Sequence, residues 1–237
     1  MKQEGSADFS ALPVFKDESE KLLEVLRGLS AQELKKLWKC SDEIVEENRL
    51  RLEAMELESG LSPAIFSFEG IAFKYLDADT LDEGSLSYLQ KNLRILSGFY
   101  GALKPFDGVR PYRLDMEHRL SVPGYKNLYD FWGDKIYNEV RDESGLIINL
   151  ASGEYAKCVE KYLGPEDRYI SCGFVENVKG QLKQKATFSK MARGAMLRFM
   201  AENKLEDPEQ LKDFREMDFV FRPELSGERE FIFEHMT

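Results

Sequence analysis

One stretch constrains this chain more than any other: Arg94-Ile95-Leu96-Ser97-Gly98-Phe99-Tyr100-Gly101-Ala102-Leu103-Lys104-Pro105. A helical pattern through Leu86, Leu89, Leu93 and Leu96 runs into two glycines, continues briefly and stops at a proline. Gly98 and Gly101 allow a tight turn whose backbone N–H groups can meet an anion, helped by the positive end of a following helix. A helix C-cap followed by a packed turn fits the same letters.

The charge around this turn sharpens the question. Arg94, Lys104, Arg110 and Arg113 crowd it in a chain of net charge −10. That balance alone disfavours nucleic acid, so the distribution decides. Residues 1–90 hold 19 acids and 10 bases, whereas 177–201 hold six bases and no acid. Residues 91–119 carry a net +3. Positive charge concentrated against a negative whole points to an anionic ligand, with nucleic acid first. Two solvated element faces would give the same counts.

Several classes are excluded. No apolar run approaches the roughly 18 residues of a membrane span. The polar start MKQEGSADFS has no signal-peptide core, so a cytoplasmic protein is expected. Cys40, Cys158 and Cys172 are odd in number and widely spaced, giving neither a disulfide framework nor a zinc pair. His118 and His235 lack metal-ligand spacing, and no Walker loop, dinucleotide fingerprint or nucleophile elbow is present. No catalytic residue, metal or cofactor is therefore expected.

The pattern predicts helices over 17–29, from a capping box at Ser30 to Trp38, from Ser41 to about Glu58, and from a capping box at Thr80 to Leu96. Ala64–Phe68 reads as a short buried strand. Leu128–Val140 reads as a helix, Leu146–Leu150 as an interior strand, and Ala151 onward as a helix to Tyr162. Tyr169–Val175 and Gln181–Phe188 read as a hairpin, Ser189–Asn203 as a helix, and Asp207-Pro208 as the start of another. Phe219–Phe221 and Phe231–Phe233 close the chain as a second hairpin. The sum is one α+β domain over residues 1–237 with a mixed sheet.

Two further constellations carry chemistry. Lys190, Arg193 and Arg198 fall near one edge of a helix whose Ala192, Gly194 and Ala195 permit close approach. Arginine suits phosphate through its two-pronged fork, although an amphipathic surface helix gives the same pattern. Asn149, Ser152, Glu154 and Tyr155 follow directly on a strand, where α/β proteins place ligand-facing groups. Ser152 as a plain N-cap reads equally well.

Leu96-Ser97-Gly98-Phe99-Tyr100-Gly101-Ala102-Leu103-Lys104-Pro105-Phe106-Asp107 followed by Pro111-Tyr112-Arg113-Leu114-Asp115-Met116 resembles the signature of the YaaA family of bacterial peroxide-stress proteins. Asn127-Leu128-Tyr129-Asp130-Phe131-Trp132-Gly133-Asp134, Ile148-Asn149-Leu150-Ala151-Ser152 with Glu154-Tyr155, and Ala192-Arg193-Gly194 with Arg198-Phe199 follow in the same order. The similarity covers roughly residues 12–235.

The resemblance implies an α+β fold in which helices wrap a curved, mostly antiparallel mixed sheet, with a helix-hairpin-helix-like element. It also implies a monomeric cytosolic protein that protects against hydrogen peroxide and binds duplex or structurally distorted DNA through a positive cleft. Arg94, Lys104, Arg110 and Arg113 would line one wall and Lys190, Arg193 and Arg198 the other. Ser97, Gly98 and Gly101 would offer backbone donors, and Tyr112, Asn149, Ser152, Glu154 and Tyr155 would be polar groups of the cleft. The alternative is an enzyme acting there on a small phosphorylated or nucleotide substrate. The family opens with an apolar strand ending in Ser-Pro-Ala-Lys, absent from this chain, so a start at an internal methionine is expected, with that strand and lysine missing.

Overall fold

The computed structural model describes Met1 and residues 9–236. The expectation about the opening strand falls largely on 2–8, outside the described residues. In chain order the elements are α1 (Lys16–Arg27), α2 (Ala31–Trp38), α3 (Asp42–Ala54), β1 (Ser62–Pro63), α4 (Ala64–Ser67), α5 (Ile71–Leu76), α6 (Glu83–Asn92), β2 (Ile95–Ser97), β3 (Gly101–Leu103) and β4 (Gly108–Val109). Then come α7 (Leu128–Trp132), α8 (Lys135–Val140), β5 (Leu146–Asn149), α9 (Gly153–Glu160), β6 (Arg168–Val178), β7 (Gln181–Lys183), α10 (Ala186–Asn203), β8 (Phe219–Phe221) and β9 (Glu230–His235). The class is α+β with an open mixed sheet. The contacts divide the chain into two units, each assembled from separated segments.

The first unit comprises residues 1–68, 94–140 and 153–162. Its α2 starts as the sequence demands: Ser30 and Glu33 cap each other's backbone. The helix expected through Leu96 instead stops at Asn92, because Leu93 turns extended (φ −84°, ψ 138°). Ile95–Ser97 then pairs antiparallel with Gly101–Leu103. The glycine turn therefore joins two strands, and the helix-hairpin-helix expectation does not hold there. The branched, buried Ile95 favours a strand over a fourth helical turn. Gly101 supplies the positive φ of 74° that closes the hairpin.

Ala64–Ser67 is a helical turn rather than a strand; Ser67 Oγ donates to Pro63 O at 2.8 Å and closes it. The extended residues sit just before, as β1, paired antiparallel with β4. The single helix expected over 128–140 breaks at Gly133, whose φ of 52° no ordinary helix residue adopts. Trp132 is fully buried against Phe15 and donates Nε1–H to Gly98 O at 3.0 Å, which anchors the hairpin turn to α7.

The second unit comprises residues 69–93, 141–152 and 163–237. Its five-stranded sheet runs β5-β6-β9-β8, with β7 also on β6. The β5–β6 and β6–β9 pairs are parallel, and β6–β7 and β8–β9 are antiparallel. Leu146–Asn149 is thus an edge strand, not an interior one. Along β6 successive side chains alternate faces. Ile170, Cys172 and Phe174 meet Ala192, Ala195 and Met196 of α10 in the core, with Phe214, Phe219, Phe231 and Phe233. Gly194 is required where α10 crosses α5: a Cβ there would overlap the carbonyl oxygen of Ala72. The cap of α6 is Asp82, accepting from Ser85 N–H at 2.6 Å, rather than Thr80.

Candidate functional site

Hairpin residues that sequence reading offered to phosphate are consumed by packing. Ser97, Gly98 and Gly101 are buried. Ser97 Oγ accepts from Phe99 N–H at 3.1 Å and Tyr100 N–H at 2.8 Å, so these two amides are satisfied within the turn. Its hydroxyl lies 2.6 Å from Tyr112 OH. A serine oxygen has two acceptor positions and one proton. With both positions filled by amides, Ser97 donates to Tyr112. A Cβ on Gly98 would come within 2.5 Å of Leu114 O, so this glycine serves the close approach of the 110–117 segment. Tyr112 stacks on Phe99 at 5.1 Å and stands edge-on to Tyr100 and Phe68. Burial raises its phenol well above the ordinary range. Ser97, Phe99, Tyr100 and Tyr112 thus hold one another in a buried corner of the first unit.

The cations divide sharply by what they touch. Arg94 pairs with Glu139 at 3.2 Å, and Arg110 Nη1 donates to Gly60 O at 2.7 Å. Arg198 Nη1 donates to Leu76 O at 3.2 Å, Asp77 O at 3.1 Å and Thr80 Oγ1 at 2.8 Å, while Nη2 meets Glu202 at 2.8 Å. These three are engaged with their own unit. Arg113 and Arg193 differ: each has its Nε buried with no hydrogen-bond partner among the described residues. Burial lowers the pKa of Arg193, partly offset by nearby Cys172. Lys104 and Lys190 are exposed. Buried donors without acceptors are uncommon and costly, about 1–3 kcal/mol each. Trp38 Nε1 and His235 Nδ1 are buried in the same way, so the feature is not confined to the two arginines.

The polar groups after β5 fall in both units. Asn149 Nδ2 donates to Ser171 Oγ at 3.1 Å, and its Oδ1 accepts from Ala151 N–H at 2.9 Å. Ser171 and Cys172 point to opposite faces of the sheet, and α10 packs on the Cys172 face. Asn149 and Arg193 are therefore on opposite faces. Ser152 belongs to the second unit, whereas Glu154 and Tyr155 belong to the first. There Glu154 Oε1 accepts from Glu117 N–H at 3.1 Å, and burial raises its carboxyl. Burial, reinforced by Asp115 and Glu154, also raises Tyr155.

One further titratable group, His118, feels the charges of Asp115, Arg113 and Lys39. His118 Nδ1 accepts from Asp115 N–H at 2.8 Å. Burial lowers its pKa, Asp115 opposes this, and the positive charges of Arg113 and Lys39 add to the lowering. No metal-ligand spacing in the sequence singles out His118.

Cys158 and Cys172 are buried, and burial pushes both thiols up to about 12. Among the described residues no group of three or more His, Cys, Asp or Glu is placed to hold a metal ion, and no helix is long and apolar enough to cross a membrane.

A family model described as peroxide stress protein YaaA matches residues 1–225. A UPF0246 protein of Agathobacter rectalis is 48% identical over 223 residues, covering 94% of this chain and 90% of its own. UPF0246 proteins of Limosilactobacillus reuteri and Desulfitobacterium hafniense are each 45% identical, over 227 and 222 residues, covering 95% and 94% of this chain and 91% and 88% of their own.

Proposed function

Because this chain belongs to the YaaA family of peroxide stress proteins, we propose that it serves the peroxide response by binding DNA, duplex or structurally distorted, with little sequence preference. The observation that carries this reading is the pair of arginines, Arg113 and Arg193, whose buried Nε–H groups lack acceptors among the described residues, in a protein of net charge −10. A protein that spends desolvation energy on unpaired arginine donors gains it back when an anion arrives. Phosphate is the anion whose geometry the guanidinium fork matches. Lys104 and Lys190, exposed beside them in sequence, add diffuse charge. Arg94, Arg110 and Arg198 contribute field rather than direct bonds, since their donors are engaged. We read residues 1–237 as one functional domain acting in the cytoplasm as a monomer.

Such binding rests on backbone phosphates and is sequence-tolerant. The test is a fluorescence-anisotropy titration of linear, bent and mismatched duplexes at several salt concentrations. The log of the affinity should fall linearly with log salt, by about 0.9 per phosphate contact. Absence of binding to all three duplexes at low salt would overturn the reading.

A further inference from the structure

The longest strand of the second unit ends in an arm. β6 pairs with β9 only as far as Glu176, which lies opposite His235. On its other edge Glu176, Asn177 and Val178 pair with Lys183, Leu182 and Gln181 of β7. Asn177 and Val178 therefore have β7 as their one strand neighbour among the described residues, and a two-stranded ribbon runs past the end of the sheet. Its turn is Lys179-Gly180, both with positive φ (55° and 81°), the geometry that matches the twist of a tight hairpin. Asn177 Oδ1 accepts from Gly180 N–H at 2.8 Å and fixes the turn.

Burial does not account for this ribbon. All three residues of β7 are exposed, and between 177 and 187 only Val178 is partly covered. What the arm carries is charge. Residues 176–190 hold Lys179, Lys183, Lys185 and Lys190 against one acid, Glu176. Glu176 sits at the base of the arm opposite Lys183, and Lys185 meets its carboxylate at 2.6 Å. Lys179 and Lys183 are exposed and make no ion pair among the described residues. The other acids at this end of the sheet lie away from β7. Glu234 of β9 is taken by Arg222. Glu216 and Asp218 precede β8, which is three strand spacings, about 14 Å, across the sheet from β7.

The dimensions suit one partner. Residues 177–179, at about 3.4 Å each, carry the tip roughly 10 Å beyond the last β6–β9 pair. The major groove of B-DNA is about 12 Å wide and about 8.5 Å deep and admits a two-stranded ribbon, whereas an undistorted minor groove, about 6 Å wide, is too narrow. We propose that the β6–β7 hairpin lies in the major groove of duplex DNA, with Lys179 and Lys183 each neutralising a backbone phosphate. This rests on the DNA-binding reading and adds where on the chain the duplex is gripped, and through which groove. Lysine is a hydrated point charge on a flexible stem, so it suits phosphates of any sequence.

The experiment compares the full chain with the double variant Lys179→Gln, Lys183→Gln on one linear duplex across salt concentrations. Both positions are exposed, so the thermal midpoint should stay within about 2 °C. The double variant should lower the log–log slope by about two, and Lys179→Arg with Lys183→Arg should restore it. A duplex whose cytosines carry glucosylated 5-hydroxymethyl groups, which fill the major groove, should bind the intact chain roughly tenfold more weakly, and the double variant should lose less. Netropsin, which fills the minor groove, should change affinity by less than about twofold. Double-stranded RNA, with its narrow major groove, should bind more weakly than DNA. If the duplex binds and the double variant keeps the full slope, the arm is wrong and the DNA reading stands. Loss caused by netropsin rather than by glucosylation, or RNA binding as tight as DNA, overturns the groove assignment. An intact chain that binds no duplex at the lowest salt ends both the DNA reading and this inference.

Discussion

The 110–118 segment of the first unit and α10 of the second solve the same problem in the same way. Each carries two arginines within two turns' reach in sequence. In each, one guanidinium is tied to carbonyl oxygens and the other keeps a buried, unanswered Nε–H. Arg110 donates to Gly60 O, whereas Arg113 Nε–H has no acceptor among the described residues. Arg198 stitches α10 to the carbonyls of Leu76 and Asp77, whereas Arg193 Nε–H has no acceptor among the described residues. Identical side chains thus do opposite work. The tied arginines contribute stability, and a buried Nε–H without an acceptor costs it.

The largest effect that separates these roles lies in α10 itself. Gly194→Ala drives a methyl into Ala72 O and should cost about 3 kcal/mol, lowering the thermal midpoint by several degrees. Next, Arg198→Ala removes bonds to two carbonyls and Thr80 Oγ1, and should cost about 2 kcal/mol in urea unfolding. Arg193→Met, by contrast, should leave stability unchanged or raise it by up to about 1 kcal/mol, since it relieves an unpaired buried donor. A stability loss as large as that of Arg198→Ala would erase the distinction.

A smaller effect concerns pH. Burial pushes the Asp107 carboxyl up to about 6, against the pull of Lys104 N–H, which it accepts at 2.8 Å. A carboxyl raised on folding binds its proton more tightly in the folded state. Its unfavourable contribution is therefore fully present above pH 6 and is relieved as pH falls through 6 towards its ordinary range. Asp107→Asn keeps an acceptor for Lys104 N–H and should stabilise the protein at pH 8 but not at pH 4, measured by unfolding at each pH. The smallest effect is chemical. With thiols near 12, Cys158 and Cys172 should resist iodoacetamide in the native protein at pH 7.5, and the half-exposed Cys40 should react first, read by mass spectrometry.

Local signals in the sequence carried much of the fold. The Ser30–Glu33 box, the Asn177–Gly180 turn and the Phe219–Phe221 and Phe231–Phe233 strands form where their residues require. Where reading failed, a neighbour distant in sequence decided the outcome. Leu96 fits a helical face, yet the segment is a strand because Gly101 turns it back and Trp132 holds Gly98 O. Ala64–Phe68 looks extended, yet Ser67 closes it onto Pro63. For the candidate site, charge was legible but its use was not. Arg193 and Arg198 look alike until the carbonyls of residues 76 and 77 appear. His118 gives no periodic or spaced signal, because the charges that act on it are set by the tertiary fold.

The most direct measurement is the salt dependence of duplex affinity for four single variants: Arg113→Ala, Arg193→Ala, Arg110→Ala and Arg198→Ala. Arg113→Ala and Arg193→Ala should each reduce the log–log slope by about one, while Arg110→Ala and Arg198→Ala leave it unchanged within error. Equal reductions in all four, or reductions only in Arg110→Ala and Arg198→Ala, would contradict the claim that unanswered arginine donors are where this protein meets its anion.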